Sequence, residues 1–314
     1  MSPSPSPSRR LALITGASLA LLAGCGSSSD SGSDGSASAS PASSSAVPVV
    51  ASTNVYGDIT EQIGGGHVQV TSVISDPSQD PHSYEANTQN QLTLSKAKVV
   101  IENGGGYDDF IDKMLKSSGN SSAEVINAVK VSGKTAPMGG ELNEHVWYDF
   151  PTVARIADSI ASALGKADPA NAATFTKNAD TFKAKLKPLE AKEAQIKKEH
   201  GGDAVAITEP VPLYVVEASG LVDKTPKEFS EAIEEGDDVS PKVLQETLAL
   251  FTGKQVKALV YNEQTSGPQT EKAEQASKAA GIPVVPVTET LPKGKDYIGW
   301  MTANVDALAS ALNK

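Results

Sequence analysis

Asp168-Pro169-Ala170-Asn171-Ala172-Ala173-Thr174-Phe175, continuing to Lys197-Lys198-Glu199-His200-Gly201-Gly202, is the stretch that decides the fold. From Asp168 to His200 the chain is polar, rich in Lys, Glu and Ala, and almost free of strand formers. Pro169 suits the first turn of a helix, and the paired glycines end it. About 30 helical residues reach ~45 Å at ~1.5 Å per residue. Glu193 and Lys197 are spaced to pair on an exposed face. Pro188, inside this run, is expected to bend or interrupt it.

On both sides of this helix, short apolar runs alternate with helical patterns. Before it, Val47 to Ser52, Val68 to Ile74 and Val99 to Ile101 read as strands. Tyr56 to Ile63, Leu92 to Lys98, Tyr107 to Lys116 and Pro151 to Leu164 read as helices, the third with apolar residues at 107, 110, 111, 114 and 115. After it, Ala204 to Thr208, Val256 to Tyr261 and Pro283 to Val287 are strand candidates. Pro241 to Phe251, Gln269 to Ala280 and Tyr297 to Leu312 are helix candidates. Alternation of this kind predicts an α/β fold with parallel sheets. Two similar α/β lobes, residues 47–165 and 202–314, are expected to be joined by one long rigid helix over residues 166–201. A single connecting helix predicts limited lobe closure, not a wide hinge.

The first residues belong to no lobe. Arg9 and Arg10 precede an almost wholly apolar run from Leu11 to Leu22, which ends in Ala23-Gly24-Cys25. Basic flank, short apolar core and small residues at a cleavage point make a secretory signal over residues 1–25. The run is too short to span a bilayer, which needs ~20 residues. Its end resembles the bacterial lipobox, which implies that Cys25 is lipidated and tethers the protein to the outer face of the cell membrane. Without that resemblance it reads as an ordinary signal with an incidental cysteine. Arg9-Arg10 leave the general and twin-arginine export routes open. Residues 26–46 are Ser, Gly, Ala, Pro and Asp with no aromatic side chain, the composition of a flexible tether.

The full chain carries a formal charge of -11, and removing the two arginines of residues 1–25, which hold no acid, takes it to -13. Such a surface repels nucleic acid and anionic lipid and is compatible with attracting cations. With a single cysteine there is neither an internal disulfide nor a thiolate metal site.

Four segments at predicted strand ends or in adjoining loops carry candidate ligands: Asp80-Pro81-His82-Ser83-Tyr84-Glu85, Asn143-Glu144-His145-Val146-Trp147-Tyr148-Asp149, Thr208-Glu209-Pro210 and Thr288-Glu289-Thr290-Leu291. Ligands of open α/β sheets bind beyond the carboxyl ends of the strands. Two segments come from each lobe, so a ligand is expected in the interlobe cleft. Each residue also has a plainer reading. His82 reads as a turn residue, His145 as a core hydrogen-bonding group, Glu209 as a cap for the next helix, and Glu289 as a solvated turn acid. His67 and His200 read as surface residues.

From Val47 to Lys314 the chain resembles the zinc- and manganese-binding solute receptors of bacterial ABC importers, the ZnuA/TroA-like family. The resemblance rests on the His82 segment, Asn103-Gly104-Gly105-Gly106-Tyr107, His145-Val146-Trp147, Asp168-Pro169 opening the long helix, and Tyr261-Asn262-Glu263, in family order. It implies a binding protein, not an enzyme. It also implies a metal site of His82, His145, Glu209 and Glu289, with Glu289 in place of the usual aspartate and Glu263 outside the ligand set. The cargo implied is one divalent transition metal ion, Mn2+ or Zn2+. An ABC permease and its ATPase are the implied partners, and a monomer is expected. Two imidazoles and two carboxylates neutralise a divalent ion, and carboxylate oxygen shifts preference toward Mn2+. Gly133 to Leu142 holds no histidine, unlike the His-rich loop of many zinc receptors, which also leans toward Mn2+. Zn2+ should still bind at least as tightly in solution. A metal-dependent hydrolase would keep an open coordination position, which four protein ligands would close. A surface adhesin is the other alternative, supported here only by surface display.

Overall fold

In this computed structural model the described residues are 46–76, 79, 84, 87–136 and 142–314. The signal with Cys25, the tether up to residue 45, and His82 lie outside them. The first half contains β1 (Val47–Thr53), α1 (Asn54–Gly64), β2 (Val68–Ile74), α2 (Thr88–Leu94), β3 (Val99–Glu102), α3 (Asp109–Ser118), β4 (Glu124–Asn127), α4 (Ala128–Ser132) and α5 (Phe150–Ala167). After a 3₁₀ turn at Pro169–Asn171 comes α6 (Ala172–His200). The second half contains β5 (Ala204–Ile207), α7 (Leu213–Ala218), β6 (Val222–Asp223), α8 (Lys227–Glu234), α9 (Pro241–Thr252), β7 (Leu259–Asn262), α10 (Pro268–Ala279), β8 (Val284–Val287) and α11 (Tyr297–Leu312).

Two four-stranded parallel sheets result, ordered β2-β1-β3-β4 and β6-β5-β7-β8. The same order repeats, so the direction of winding reverses between β1 and β3 in one sheet and between β5 and β7 in the other. Chain leaving such a point forms the crevice in which α/β folds hold ligands. Val99, Val100 and Ile101 are all fully buried, as expected of a strand covered on both faces.

Helix α6 buries Phe175, Ala179, Phe182, Leu186, Leu189, Glu193 and Ile196. Their spacing alternates between four and three residues, which keeps one narrow stripe on the core. One expectation narrows here and a second fails. Pro188 does not interrupt the helix, which runs through it. It lies on the exposed face, where the carbonyl of Ala184 that loses its donor can turn to water. Glu193 falls in the buried stripe with 5% exposure, and no ion pair with Lys197 forms among the described residues. Burial, then the charges of Asp149 and Glu190, push the Glu193 carboxyl up to about 8.

The largest apolar cluster is continuous through both sheets. It joins Val49, Ile101 and Trp147 to Phe182 and Leu186 of α6, and to Val205, Val260 and Trp300. Polar links reinforce it. Asn54 and the backbone of Leu291 exchange two hydrogen bonds of 2.9 Å. Tyr148 donates to the carbonyl of Thr288 at 2.6 Å, and Tyr297 to that of Trp147 at 2.6 Å. The expected helix at Leu92 to Lys98 starts earlier, at Thr88, because Asn87 caps it by accepting from the Asn90 amide at 2.9 Å. Strands β4 and β6 and helices α4 and α8 were not expected, and α7 only as the helix that Glu209 would cap. They are short, and β6 and β4 are edge strands with exposed Val222 and Val125.

Candidate metal centre

Asn103, at the end of β3, is fully buried and begins a glycine-rich turn. The Asp108 carboxylate accepts from the backbone N–H groups of Asn103 at 2.6 Å and Gly104 at 2.7 Å. Gly104 has φ +75, and a Cβ there would stand 2.1 Å from Nδ2 of Asn127, so only glycine fits. The amide of Asn103 donates to the carbonyl of Glu144 at 3.0 Å and so anchors the loop that carries His145.

His145 is completely buried and leads into a 3₁₀ turn at Val146–Tyr148. The rings of Trp147 and Tyr107 stand edge-on to it at 5.1 and 5.9 Å. Its Nδ1 lies 2.7 Å from Oδ1 of Asn143, which also accepts from the His145 backbone N–H at 3.1 Å. An amide oxygen only accepts, so Nδ1 carries the proton and Nε2 the lone pair. Nε2 faces Oε1 of Glu234 at 3.6 Å. The amide nitrogen of Asn143 donates to the carbonyl of Pro210 at 3.0 Å, tying the imidazole's support to the Glu209 loop.

Glu209 follows β5 and Glu289 follows β8, and each is 2% exposed. The side-chain amide of Asn262, the last residue of β7, donates to Oε2 of Glu209 and, at 2.8 Å, to Oε1 of Glu289. Thr265 also donates to Glu209, and the Tyr107 hydroxyl reaches Oε2 of Glu289 at 3.4 Å. Glu209 therefore caps no helix: α7 begins after Pro212 without a side-chain cap. Glu289 is no solvated turn acid. Glu263 is exposed. His67 is half-buried against Phe175, and His200 is half-buried beside Asp203 at 3.2 Å.

Sequence reading missed Glu234, at the end of α8. Ligand atoms of Glu144, His145 and Glu234 all lie within 4.8 Å of one another. Burial, then the charges of Glu144, Glu209, Glu289 and Glu235, push the Glu234 carboxyl up to about 9. Glu209 and Glu289 act on Glu234 through their charge and are not members of that three-residue cluster. A cavity of about 640 Å³, lined by Asn143, Glu144, Pro210, Tyr214, Glu231 and Glu234 among others, adjoins the cluster. Tyr107 and Tyr148 are fully buried and held protonated, chiefly by burial and next by Glu289, so they act as neutral donors. One imidazole nitrogen and several carboxylates, oriented by neutral amides and hydroxyls away from water, suit a divalent cation.

Two parallel sheets with a long helix between them in the chain form the same fold as the solved structures of ZnuA and of the periplasmic zinc binding protein TroA. Over residues 49–311 the chain belongs to the family described as ZnuA, zinc-uptake complex component A, periplasmic. This is a family of solute-binding proteins of ABC importers, not of enzymes. The manganese-binding lipoprotein MntA of Bacillus subtilis (strain 168) is 27% identical over 287 residues, covering 84% of this chain and 89% of MntA. The iron ABC transporter substrate-binding lipoprotein MtsA of Streptococcus pyogenes serotype M1 is 25% identical over 306 residues, covering 86% and 90%. Among solved structures, the periplasmic zinc binding protein TroA from Treponema pallidum superposes with a TM-score of 0.72 at 20% identity, covering 85% of this chain and 99% of TroA.

Proposed function

We propose that this protein captures a divalent transition-metal ion outside the cell and hands it to the permease of an ABC importer, with Mn2+ the preferred cargo and Zn2+ a close second. The proposed ligands are His82, His145, Glu209 and Glu289. One observation carries the reading: buried Glu209 and Glu289, just beyond strands of the second sheet, and buried His145, in the loop that Asn103 anchors beside the first, are each oriented by a neutral amide. A metal-binding histidine commonly has its second nitrogen held in this way. The relatives named as manganese-binding and iron-transporting lipoproteins support a transition-metal cargo. They also support an anchored location on the extracytoplasmic face, here through Cys25.

Titration calorimetry of chelator-stripped protein with Mn2+ and Zn2+ tests this. Wild type should bind one ion, and His82→Ala and His145→Ala should each lose most of the binding while keeping the helical circular dichroism. Unchanged binding in both variants would place the site elsewhere. Cys25→Ser should move the protein from the membrane fraction to the soluble one. Lipid labelling that persists in this variant would rule out the anchor.

A further inference from the structure

We infer that Glu234 is an additional ligand of the cargo ion, which makes the site oxygen-rich and more than four-coordinate. The inference rests on the reading of His145, Glu209 and Glu289 as the cargo site. Its geometric basis is the 3.6 Å between Nε2 of His145 and Oε1 of Glu234. That separation is too long for a hydrogen bond. It matches one edge of a coordination polyhedron, since bonds of ~2.0–2.2 Å to one ion hold neighbouring donor atoms about 3.0–3.6 Å apart. The lone-pair nitrogen of the imidazole faces the carboxylate because Asn143 holds the other nitrogen at 2.7 Å.

The fold positions Glu234 firmly. Helix α8 is pinned by Phe229, which is fully buried in the apolar cluster of the second sheet and packs with Ile233. Gly236, at φ +72, turns the chain directly after the helix. Glu234 stands in the last turn of α8, which holds no basic residue. An acid is disfavoured at the negative end of a helix dipole. A divalent cation beside it reverses the sign of that interaction and relieves the repulsion from Glu144, Glu209 and Glu289. Five or more donors, most of them carboxylate oxygens, fit Mn2+, whereas zinc favours four donors in a tetrahedron. Glu144 shares the cluster, and we assign it no bond to the ion.

The test compares full-length wild type with Glu234→Gln and, at the exposed neighbouring acid, Glu235→Gln, each stripped and titrated with Mn2+, Zn2+ and the spectroscopic probe Co2+. Glu234→Gln should weaken Mn2+ about tenfold or more and Zn2+ distinctly less. The visible absorption of its Co2+ complex should strengthen toward that of a four-coordinate ion. Glu235→Gln should leave the Co2+ spectrum as in wild type. Equal losses in both glutamine variants with unaltered Co2+ spectra would make Glu234 a mere source of negative charge and overturn the assignment. Wild-type affinity and spectrum in Glu234→Gln would also overturn it while leaving the cargo site intact. Failure of wild type to bind any of the three ions would instead remove the cargo-site reading beneath it.

Discussion

The side chain of Asn143 accepts a hydrogen bond from Nδ1 of His145 at 2.7 Å, and this contact decides which imidazole nitrogen is presented to the cleft. Removing it in Asn143→Ala should lower metal affinity about 10- to 100-fold, the usual effect of losing the partner of a ligating histidine. Asn143→Asp retains the acceptor and should recover most of the affinity. Calorimetry of both variants checks this, and equal loss in the two would show that Asn143 acts through its bond to Pro210 instead.

Asn262 is the shared donor of two buried carboxylates. Its replacement by alanine leaves both facing each other with less compensation, costing about 1–3 kcal/mol in the metal-free protein. An added cation restores the balance. Thermal melts of Asn262→Ala should show a lowered midpoint without metal and a larger upward shift on adding Mn2+ than wild type gives. A shift no larger than that of wild type would refute this role.

Glu209→His would replace an anionic oxygen with a neutral nitrogen, which suits Zn2+ better than Mn2+. The ratio of Zn2+ to Mn2+ affinity should therefore rise. Paired titrations measure it, and a ratio that stays level or falls would contradict the proposed role of Glu209.

Glu193 gives a prediction about pH. Its folded carboxyl is pushed up to about 8 from an ordinary value of 4.5. Between these values the unfolded chain gives up the proton and the folded chain retains it. Stability from this group is thus fully present below about pH 4.5 and is lost as pH rises toward 8. Glu193→Gln should flatten that decline and stabilise the protein at pH 8 by an amount on the order of a few kcal/mol. Urea denaturation of both proteins at pH 5 and pH 8 measures the difference, and parallel declines would show that Glu193 is not responsible.

The strands Val47–Thr53 and Val99–Glu102 were legible because a buried parallel strand is written as a nearly continuous apolar run, and the half-exposed edge strand Val68–Ile74 was legible because it alternates. The long helix was legible from composition, but its buried face was not. The stripe through Phe175, Phe182, Leu189 and Ile196 includes a glutamate, and residue type alone assigns Glu193 to water. Strand β6 has only two residues and leaves no periodicity to read. His145, Glu209 and Glu289 stood out by chemical type beside motifs. Asn143 and Asn262 lay inside those same motifs, and nothing local marked them as the groups that orient the proposed ligands.

By itself the sequence determined the α/β class and marked the candidate ligands by residue type, because periodicity and residue type are local properties. The tertiary structure alone decided which acids meet. Asn262 reaches Glu209 across 53 residues of sequence, and Tyr107 reaches Glu289 across 182. Glu234 comes to His145 only because the buried Phe229 fixes helix α8 on the second sheet while Asn103 holds the His145 loop on the first. Such convergence depends on how packed elements face each other, and no stretch of chain encodes it alone.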